Sequence, residues 1–148
     1  MTKETKKWWE YSAKDYQKEC NIPIDIHYGP GSPNEKHYKL LGNIRGKKIL
    51  EIGCGGAQCS ISMAKQGAKV TAIDISKEQL KFAKELAKKN KVNIEFHKGD
   101  IRNLKQIKSN SQDIVNELLK ILMIIAVLEL IIWLFRRIAS FSNSYFQP

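Results

Sequence analysis

The sequence predicts an α/β fold in which parallel β-strands alternate with α-helices. An apolar segment at 48–52 runs directly into glycines, and a helical segment follows it. About twenty residues after those glycines, a second apolar segment ends in a carboxylate, Asp74. Strands that alternate with helices in this way form a parallel sheet with helices on its faces, joined by right-handed crossovers.

Each predicted element has a local reason. The first helix shows amphipathic spacing, and the loop after it is rich in proline and glycine, which excludes a helix. The strands are short apolar runs bounded by polar or turn residues. In chain order the expected elements are a helix at 4–20, a loop at 22–33, a short helix at 35–41, strands at 48–52, 69–73, 93–97 and 113–115, and helices at 57–66 and from Ser76 to 89.

Three residues mark the ends of the two central helices. Gly67 suits the left-handed position that follows a helix, so it ends the helix at 57–66. Ser76 caps the next helix, and Gln79 three residues later completes a capping box. Asn90 is placed to end that helix.

The glycine-rich segment after the first strand indicates a nucleotide site. Gly53 and Gly55 leave no side chain in the way of a ligand, and Asp74 is an acid that can grip ribose hydroxyls. A dinucleotide fingerprint needs a third glycine where Gln58 stands, and a phosphate-binding P-loop needs a Gly-Lys-Ser/Thr ending that is absent from the sequence. The pattern therefore predicts the adenosine-binding half of a Rossmann-like fold.

This motif resembles that of the class I S-adenosylmethionine (SAM)-dependent methyltransferases, particularly the type 11 group of small methyltransferase domains. The pattern of that family, an acid followed by three glycines at alternate positions, is matched by Glu51, Gly53 and Gly55 and departs at Ala57. The resemblance covers about residues 8–115 and implies SAM as the cofactor. Because SAM carries no pyrophosphate, the loop need only make room for its methionine moiety and offer backbone N–H groups to its carboxylate.

The resemblance also implies roles for individual residues. Asp74 would accept hydrogen bonds from both ribose hydroxyls, and Glu51 would orient the loop N–H groups or reach the methionine ammonium. Asp100 would accept from the adenine amine, with Ile75 and Ile101 against the ring. Each also has a structural interpretation, such as a turn at Gly99-Asp100 or core packing of Ile75. The expected cofactor-binding set is Glu51, Gly53, Cys54, Gly55, Asp74, Ile75, Asp100 and Ile101.

Two weaker candidates for ligand contacts remain, and neither a nucleophile nor a catalytic base is expected. The loop Tyr28-Gly29-Pro30-Gly31 could close over the methionine end, and Gln58 lies at a helix start. Cys54 is interpreted as a small filler rather than a nucleophile, since nothing basic is adjacent to lower its pKa. Methyl transfer from SAM depends mainly on aligning donor and nucleophile, so no catalytic base is assigned.

Composition narrows the partners and the compartment. The chain carries 25 Lys+Arg against 15 Asp+Glu, a net charge of +10, but lysine dominates and arginine is scarce. Nucleic-acid recognition favours arginine forks, so a small-molecule acceptor is preferred over a nucleic acid. The three cysteines form no C-x-x-C pair and the three histidines are scattered, which predicts no metal and a reducing, cytoplasmic location.

The sequence changes character after residue 115. Between Leu118 and Phe135, 16 of 18 residues are apolar, and nothing supplies the remaining helix and strand patterns of the family. A truncated or out-of-frame end of a longer gene is the favoured interpretation, followed by an apolar helix covering the open sheet and then by a membrane span. The expected organisation is an N-terminal helix and cap segment at 1–47, a SAM-binding half-domain at 48–115 that is incomplete at its C-terminal half, and an apolar tail at 116–148.

The sequence thus predicts a cytoplasmic SAM-dependent methyltransferase domain acting on an unidentified small molecule, with activity in question if the fold is truncated. The alternatives are a non-catalytic remnant that binds SAM, a nucleic-acid methyltransferase, an NAD-binding protein, and a protein tethered to a membrane through 118–135. The missing third glycine disfavours NAD.

Overall fold

A computed structural model describes residues 3–28 and 33–116 of the chain. In chain order its elements are α1 (Lys3–Cys20), α2 (Glu35–Tyr38), β1 (Lys48–Ile52), α3 (Gln58–Lys65), β2 (Lys69–Asp74), α4 (Lys77–Lys89), β3 (Ile94–Lys98) and β4 (Ile114–Asn116). Each corresponds to an element expected from the sequence, and α2 is shorter than expected. The apolar C-terminal helix expected in the tail lies outside the described residues, so its three interpretations stay predictions.

The four strands form one parallel sheet in the order β3-β2-β1-β4. The connections from β1 to β2 and from β2 to β3 both step in the same direction, so right-handed crossovers place α3 and α4 on the same face. The chain then returns to the other side of β1 to form β4. Ligands of open parallel sheets bind beyond the carboxyl ends of the strands, where the strand order reverses, and here that point lies at the end of β1.

The two faces of the sheet are covered differently. On the face that carries Leu50, Ile52 and Ile73, the partly buried side chains of Ile101, Leu104 and Ile107 complete a hydrophobic cluster. These three residues belong to the irregular segment between β3 and β4, which packs on this face of the sheet. The helices α3 and α4 contribute fully or almost fully buried side chains to the core, namely Ile61, Met63, Leu80 and Ala83.

The expected helix ends at Gly67 and Asn90 are confirmed. Gly67 has a φ of 89°, and the amides of Gly67 and Ala68 donate to carbonyls in the last turn of α3, which is the Schellman arrangement. Asn90 is the C-cap of α4, and the left-handed position after it is taken by Lys91, with a φ of 56°. The helix α4 therefore ends with the same left-handed geometry as α3, but with a lysine in place of the glycine.

The expected capping box at α4 is only half formed. The Ser76 hydroxyl accepts from the Gln79 amide at 3.2 Å, as expected for an N-cap. The Gln79 side chain does not return to the Ser76 amide, because that amide donates to Asp74 Oδ1 at 2.8 Å and Gln79 Oε1 accepts from Gln17 Nε2 at 2.8 Å. The prediction that Gln79 completes the box was wrong, since both groups have partners from elsewhere in the fold.

Candidate functional site

The loop between β1 and α3 uses the left-handed backbone region three times. Gly53 and Gly55 have φ values of 72° and 51°, which glycine adopts without strain. Ala57, where the family pattern has its third glycine, also has a positive φ of 60°. A left-handed conformation costs an L-residue about 1–2 kcal/mol. Ala57 therefore adopts a backbone conformation that favours glycine, at a cost in strain.

The amides of this loop are used within the protein. Those of Gly53 and Cys54 donate to the Ile73 carbonyl at 2.8 and 3.0 Å, and that of Gly55 donates to Asp74 Oδ2 at 2.8 Å. The expected role of the loop amides toward a ligand carboxylate stays a prediction. These amides anchor the loop to the end of β2. Gly53 and Gly55 carry no side chain, so they leave room for a ligand beside the loop.

Asp74 ends β2 directly beside the glycine loop. Its side chain is buried, with Oδ2 accepting from the Gly55 amide and Oδ1 from the Ser76 amide, each at 2.8 Å. Burial raises the pKa of Asp74, and the amide hydrogen bonds oppose that rise. A carboxylate offers about four acceptor positions, so further donors can still be accepted. The glycines and the acid that the sequence pairs by spacing lie together in the structure.

Glu51 lies deeper in the same region, on β1. It is 3% exposed, and its carboxylate accepts from both the hydroxyl and the amide of Ser60. Ser60 lies in the first turn of α3, whose N-cap residue Ala57 makes no side-chain cap. Glu51 therefore acts as a surrogate cap for α3 rather than contacting the glycine-loop amides. Burial raises its pKa to about 7, and the nearby negative charge of Asp74 adds to the rise.

The expected adenine contact, Asp100, has a partner within the chain. Arg102 binds its carboxylate in a fork, with Nε at 3.0 Å from Oδ1 and Nη2 at 2.6 Å from Oδ2. These contacts lower the pKa of Asp100. Ile101 packs against the hydrophobic cluster of β1 and β2, and Ile75 is half-buried after Asp74. A role for these three residues at an adenine ring stays a prediction.

The remaining expected candidates are held by local contacts. Cys54 is buried, and its burial together with the charges of Glu51 and Asp74 raises its pKa, so the thiol is not activated as a nucleophile. The Tyr28 hydroxyl donates to the Glu35 carboxylate. Residues 29–31 of the expected closing loop lie outside the described residues, so its closure over a ligand stays a prediction.

The sequence reasoning did not identify two residues of α1 that reach the site. Gln17 is 7% exposed, accepts from Gln58 Nε2 at 2.7 Å and donates to Gln79 Oε1 at 2.8 Å. It lies over the glycine loop so closely that a Cβ on Gly56 would come within 2.6 Å of Gln17 Oε1. The second residue, Glu10, contacts the first turn of α4. Gln17 follows Ala13 by four residues, so it lies on the buried face of α1. A polar residue on that face is the sequence feature that could have identified it.

Within residues 3–28 and 33–116, no group of three or more His, Cys, Asp or Glu side chains is placed to hold a metal ion. In the same part of the chain, no helix combines the length and the apolar character that crossing a bilayer requires. The candidate membrane segment at 118–135 lies outside the described residues.

Comparison with known proteins identifies the family. Residues 44–140 match a family model described as a methyltransferase domain. The match takes in β1 to β4 and extends past residue 115, where the resemblance was expected to end. The boundary at residue 115 therefore stays a prediction, as does the narrower type 11 grouping.

Individual relatives are also methyltransferases by name. The chain is 34% identical over 109 residues to a ubiquinone biosynthesis O-methyltransferase of Bordetella avium, covering 74% of this chain and 42% of that protein. It is 40% identical over 84 residues to a putative protein N5-glutamine methyltransferase of Methanocaldococcus jannaschii, covering 54% of this chain and 43% of the relative. The chain thus spans well under half the length of these curated relatives.

A solved structure supports the fold. Magnesium protoporphyrin IX methyltransferase from Synechocystis, with bound S-adenosylhomocysteine (SAH), superposes with a TM-score of 0.56 at 22% identity, covering 76% of this chain and 56% of that one. This likeness confirms the Rossmann-like parallel sheet with flanking helices. The family match over more than half of the chain shows that this chain belongs to the methyltransferase domain family, as its class I motif predicts.

Proposed function

We propose that this chain binds SAM at the glycine loop and Asp74, as part of an enzyme that transfers the methyl group of SAM to a small-molecule acceptor. The observation that carries the proposal is the contact of 2.8 Å between Asp74 Oδ2 and the Gly55 amide. It joins the acid at the end of β2 and the glycines at the end of β1 into one site. Family membership supplies the reaction class.

The residues present fit this cofactor chemically. Asp74 accepts one backbone amide on each oxygen, which leaves acceptor positions for a pair of hydroxyl donors such as a ribose diol. Gly53 and Gly55 add no side chain at the turn. When ionised, the buried carboxylate of Asp74 favours a ligand of positive charge. When bound, SAM supplies a methyl group on a positively charged sulfur, so the protein's task is to hold and align its reactants.

The proposed adenine contact requires a local exchange of partners. Arg102 donates two hydrogen bonds to each carboxylate oxygen of Asp100, which fills its four acceptor positions, so an adenine amine can bind there only if Arg102 releases one of them. The Arg102 side chain is 64% exposed and that of Asp100 is 27% exposed. Ion pairs with a solvent-exposed partner contribute little, about 0.2–1 kcal/mol, so this exchange costs little.

A small-molecule acceptor is the class we favour. Of the three similar proteins described above, two are named for ubiquinone biosynthesis and for magnesium protoporphyrin IX, both small molecules, and one is named for glutamine in a protein. The basic charge of this chain comes mainly from lysine, which lacks the fork that base and phosphate recognition prefers. The free thiols of Cys20, Cys54 and Cys59 support a cytoplasmic location.

Titration calorimetry with SAH and with NAD tests this proposal. The wild-type chain is expected to bind SAH and not NAD. Asp74→Asn should weaken SAH binding because it replaces an ionised acceptor of hydrogen bonds. A hydrogen bond to a charged group is worth about 1.5–3 kcal/mol, or roughly a 10- to 150-fold change in Kd. Asp15→Asn, an exposed change of the same kind on α1, is the control. Binding of NAD alone, or equal SAH binding by the two variants, would refute the assignment.

A further inference from the structure

We infer that Glu10 of α1 is a positioning residue that fixes the carboxylate of Asp74 through the first turn of α4. The inference rests on the proposed function, since it concerns how the proposed ribose-binding acid is held. It assigns to the N-terminal helix a part in cofactor recognition that neither the glycine motif nor the family match contains. Residues 44–140 carry that match, and α1 ends before them.

Glu10 clamps the start of α4 with both carboxylate oxygens. Its Oε1 accepts from the Lys77 amide at 3.0 Å, and its Oε2 accepts from the Glu78 amide at 3.1 Å and lies 3.2 Å from the Ser76 hydroxyl. Lys98 Nζ lies 3.6 Å from Oε1. Burial opposes ionisation of Glu10, but these hydrogen bonds and the Lys98 charge outweigh it and lower its pKa. The clamp is therefore ionised at neutral pH.

Ser76 connects this clamp to Asp74. Ser76 is fully buried, and its amide donates to Asp74 Oδ1 at 2.8 Å while its side chain lies against Glu10. The other Asp74 oxygen is held by the Gly55 amide. The orientation of the carboxylate is thus set by two backbone amides. One of them belongs to the turn that Glu10 holds, so a shift of that turn would rotate the acceptor positions left for a ligand.

Glu10 completes the capping of α4 and also contacts Ser76, the residue that holds Asp74. The Ser76 hydroxyl already accepts the Gln79 amide, so α4 has its own N-cap. Glu10 takes the two preceding amides, at Lys77 and Glu78, which water would otherwise solvate. Its negative charge also raises the pKa of Asp74, so the arrangement keeps two like charges near each other. What the contact adds is a fixed geometry between α1, the start of α4 and Asp74.

The test compares two ligands that differ only in the ribose hydroxyls. Binding of SAH and of its 2′,3′-dideoxy analogue is measured by calorimetry for the wild type, Glu10→Gln and Glu19→Gln. Glu19 is an exposed glutamate on the same helix, so its change is matched in type and in charge. We expect Glu10→Gln to weaken SAH binding about 3- to 10-fold, because one oxygen acceptor and the charge are lost, and to leave the dideoxy analogue unchanged. Glu19→Gln should change neither.

A second variant separates positioning from folding. Glu10→Asp keeps the charge but is one methylene shorter, so it cannot reach both amides, and it is expected to show the same selective loss of hydroxyl recognition. Equal weakening of both ligands by the Glu10 variants, or no difference from Glu19→Gln while the wild type binds SAH, would overturn the inference alone. Failure of the wild type to bind SAH would overturn the proposed function and this inference with it.

Discussion

Gly56→Ala tests how tightly α1 covers the glycine loop. The backbone of Gly56 lies outside the left-handed region, so alanine meets no conformational penalty there. The added Cβ would nevertheless lie 2.6 Å from Oε1 and 2.8 Å from Cδ and Nε2 of Gln17. Real Cβ atoms do not approach other atoms this closely, so the Gln17 side chain must leave its position.

The cost follows from the hydrogen bonds that Gln17 would abandon. It accepts from Gln58 Nε2 at 2.7 Å and donates to Gln79 Oε1 at 2.8 Å, and all three residues are buried. A buried polar group left without a partner costs about 1–3 kcal/mol. Relaxation of α1 recovers part of this, so we expect Gly56→Ala to lower the free energy of unfolding by about 2–4 kcal/mol.

A double-mutant cycle isolates the contact. Gln17→Ala removes the same hydrogen bonds and also makes room for the new methyl group. Gly56→Ala should therefore cost less than about 0.5 kcal/mol in the Gln17→Ala background, and the two changes should be strongly non-additive in urea unfolding. Gln66→Ala, an exposed glutamine at the end of α3, serves as the control for loss of a glutamine side chain.

The result that would refute this reasoning is additivity. If Gly56→Ala costs the same with and without Gln17, then the glutamine is not the group that the new methyl meets. A Gly56→Ala variant as stable as the wild type would likewise show that α1 does not lie on the loop as the structure has it.

Two further predictions concern Glu51 and Lys91. Burial raises the folded-state pKa of Glu51 from 4.5 to about 7, so the folded protein keeps a proton that the unfolded chain releases. The free energy of unfolding of the wild type should therefore fall relative to that of Glu51→Gln as the pH rises from 4.5 to 7, and parallel urea-unfolding profiles of the two proteins would contradict this. Lys91→Gly removes left-handed strain at a φ of 56° and should stabilise the protein by about 0.5–1 kcal/mol in thermal unfolding, whereas Lys88→Gly, inside α4, should destabilise it by a similar amount.

The parts of the fold that follow from local chemistry were predictable from the sequence. Short apolar runs located β1 to β3, and Gly67 and Asn90 ended α3 and α4 because the chain needs a left-handed or non-helical residue there. The pairing of Asp74 with the glycine turn also followed, since parallel strands bring their carboxyl ends to one edge of a sheet. These predictions require only information from residues that are close in sequence or joined by a single β-α-β crossover.

What could not be predicted depends on contacts between distant segments. Glu10 reaches amides 67 and 68 residues later in the chain, and Gln17 donates to the Gln79 side-chain oxygen that the capping-box rule reserves for the Ser76 amide. No local pattern distinguishes these side chains from other polar residues of an amphipathic helix. The binding of Asp100 by Arg102 is different, because a single residue separates them and the acid-x-arginine spacing is visible in the sequence.

The position of α1 bears on how shorter versions of this protein behave. A polypeptide cut at residue 44, where the family match starts, would retain the whole described sheet together with α3 and α4. It would lack the helix that shields Gly56 and occupies the leading amides of α4, so water would hydrate both surfaces. A domain boundary taken from the family match would therefore remove α1, which covers the glycine loop and the start of α4. Protein prepared for ligand-binding studies should begin at or before Lys3.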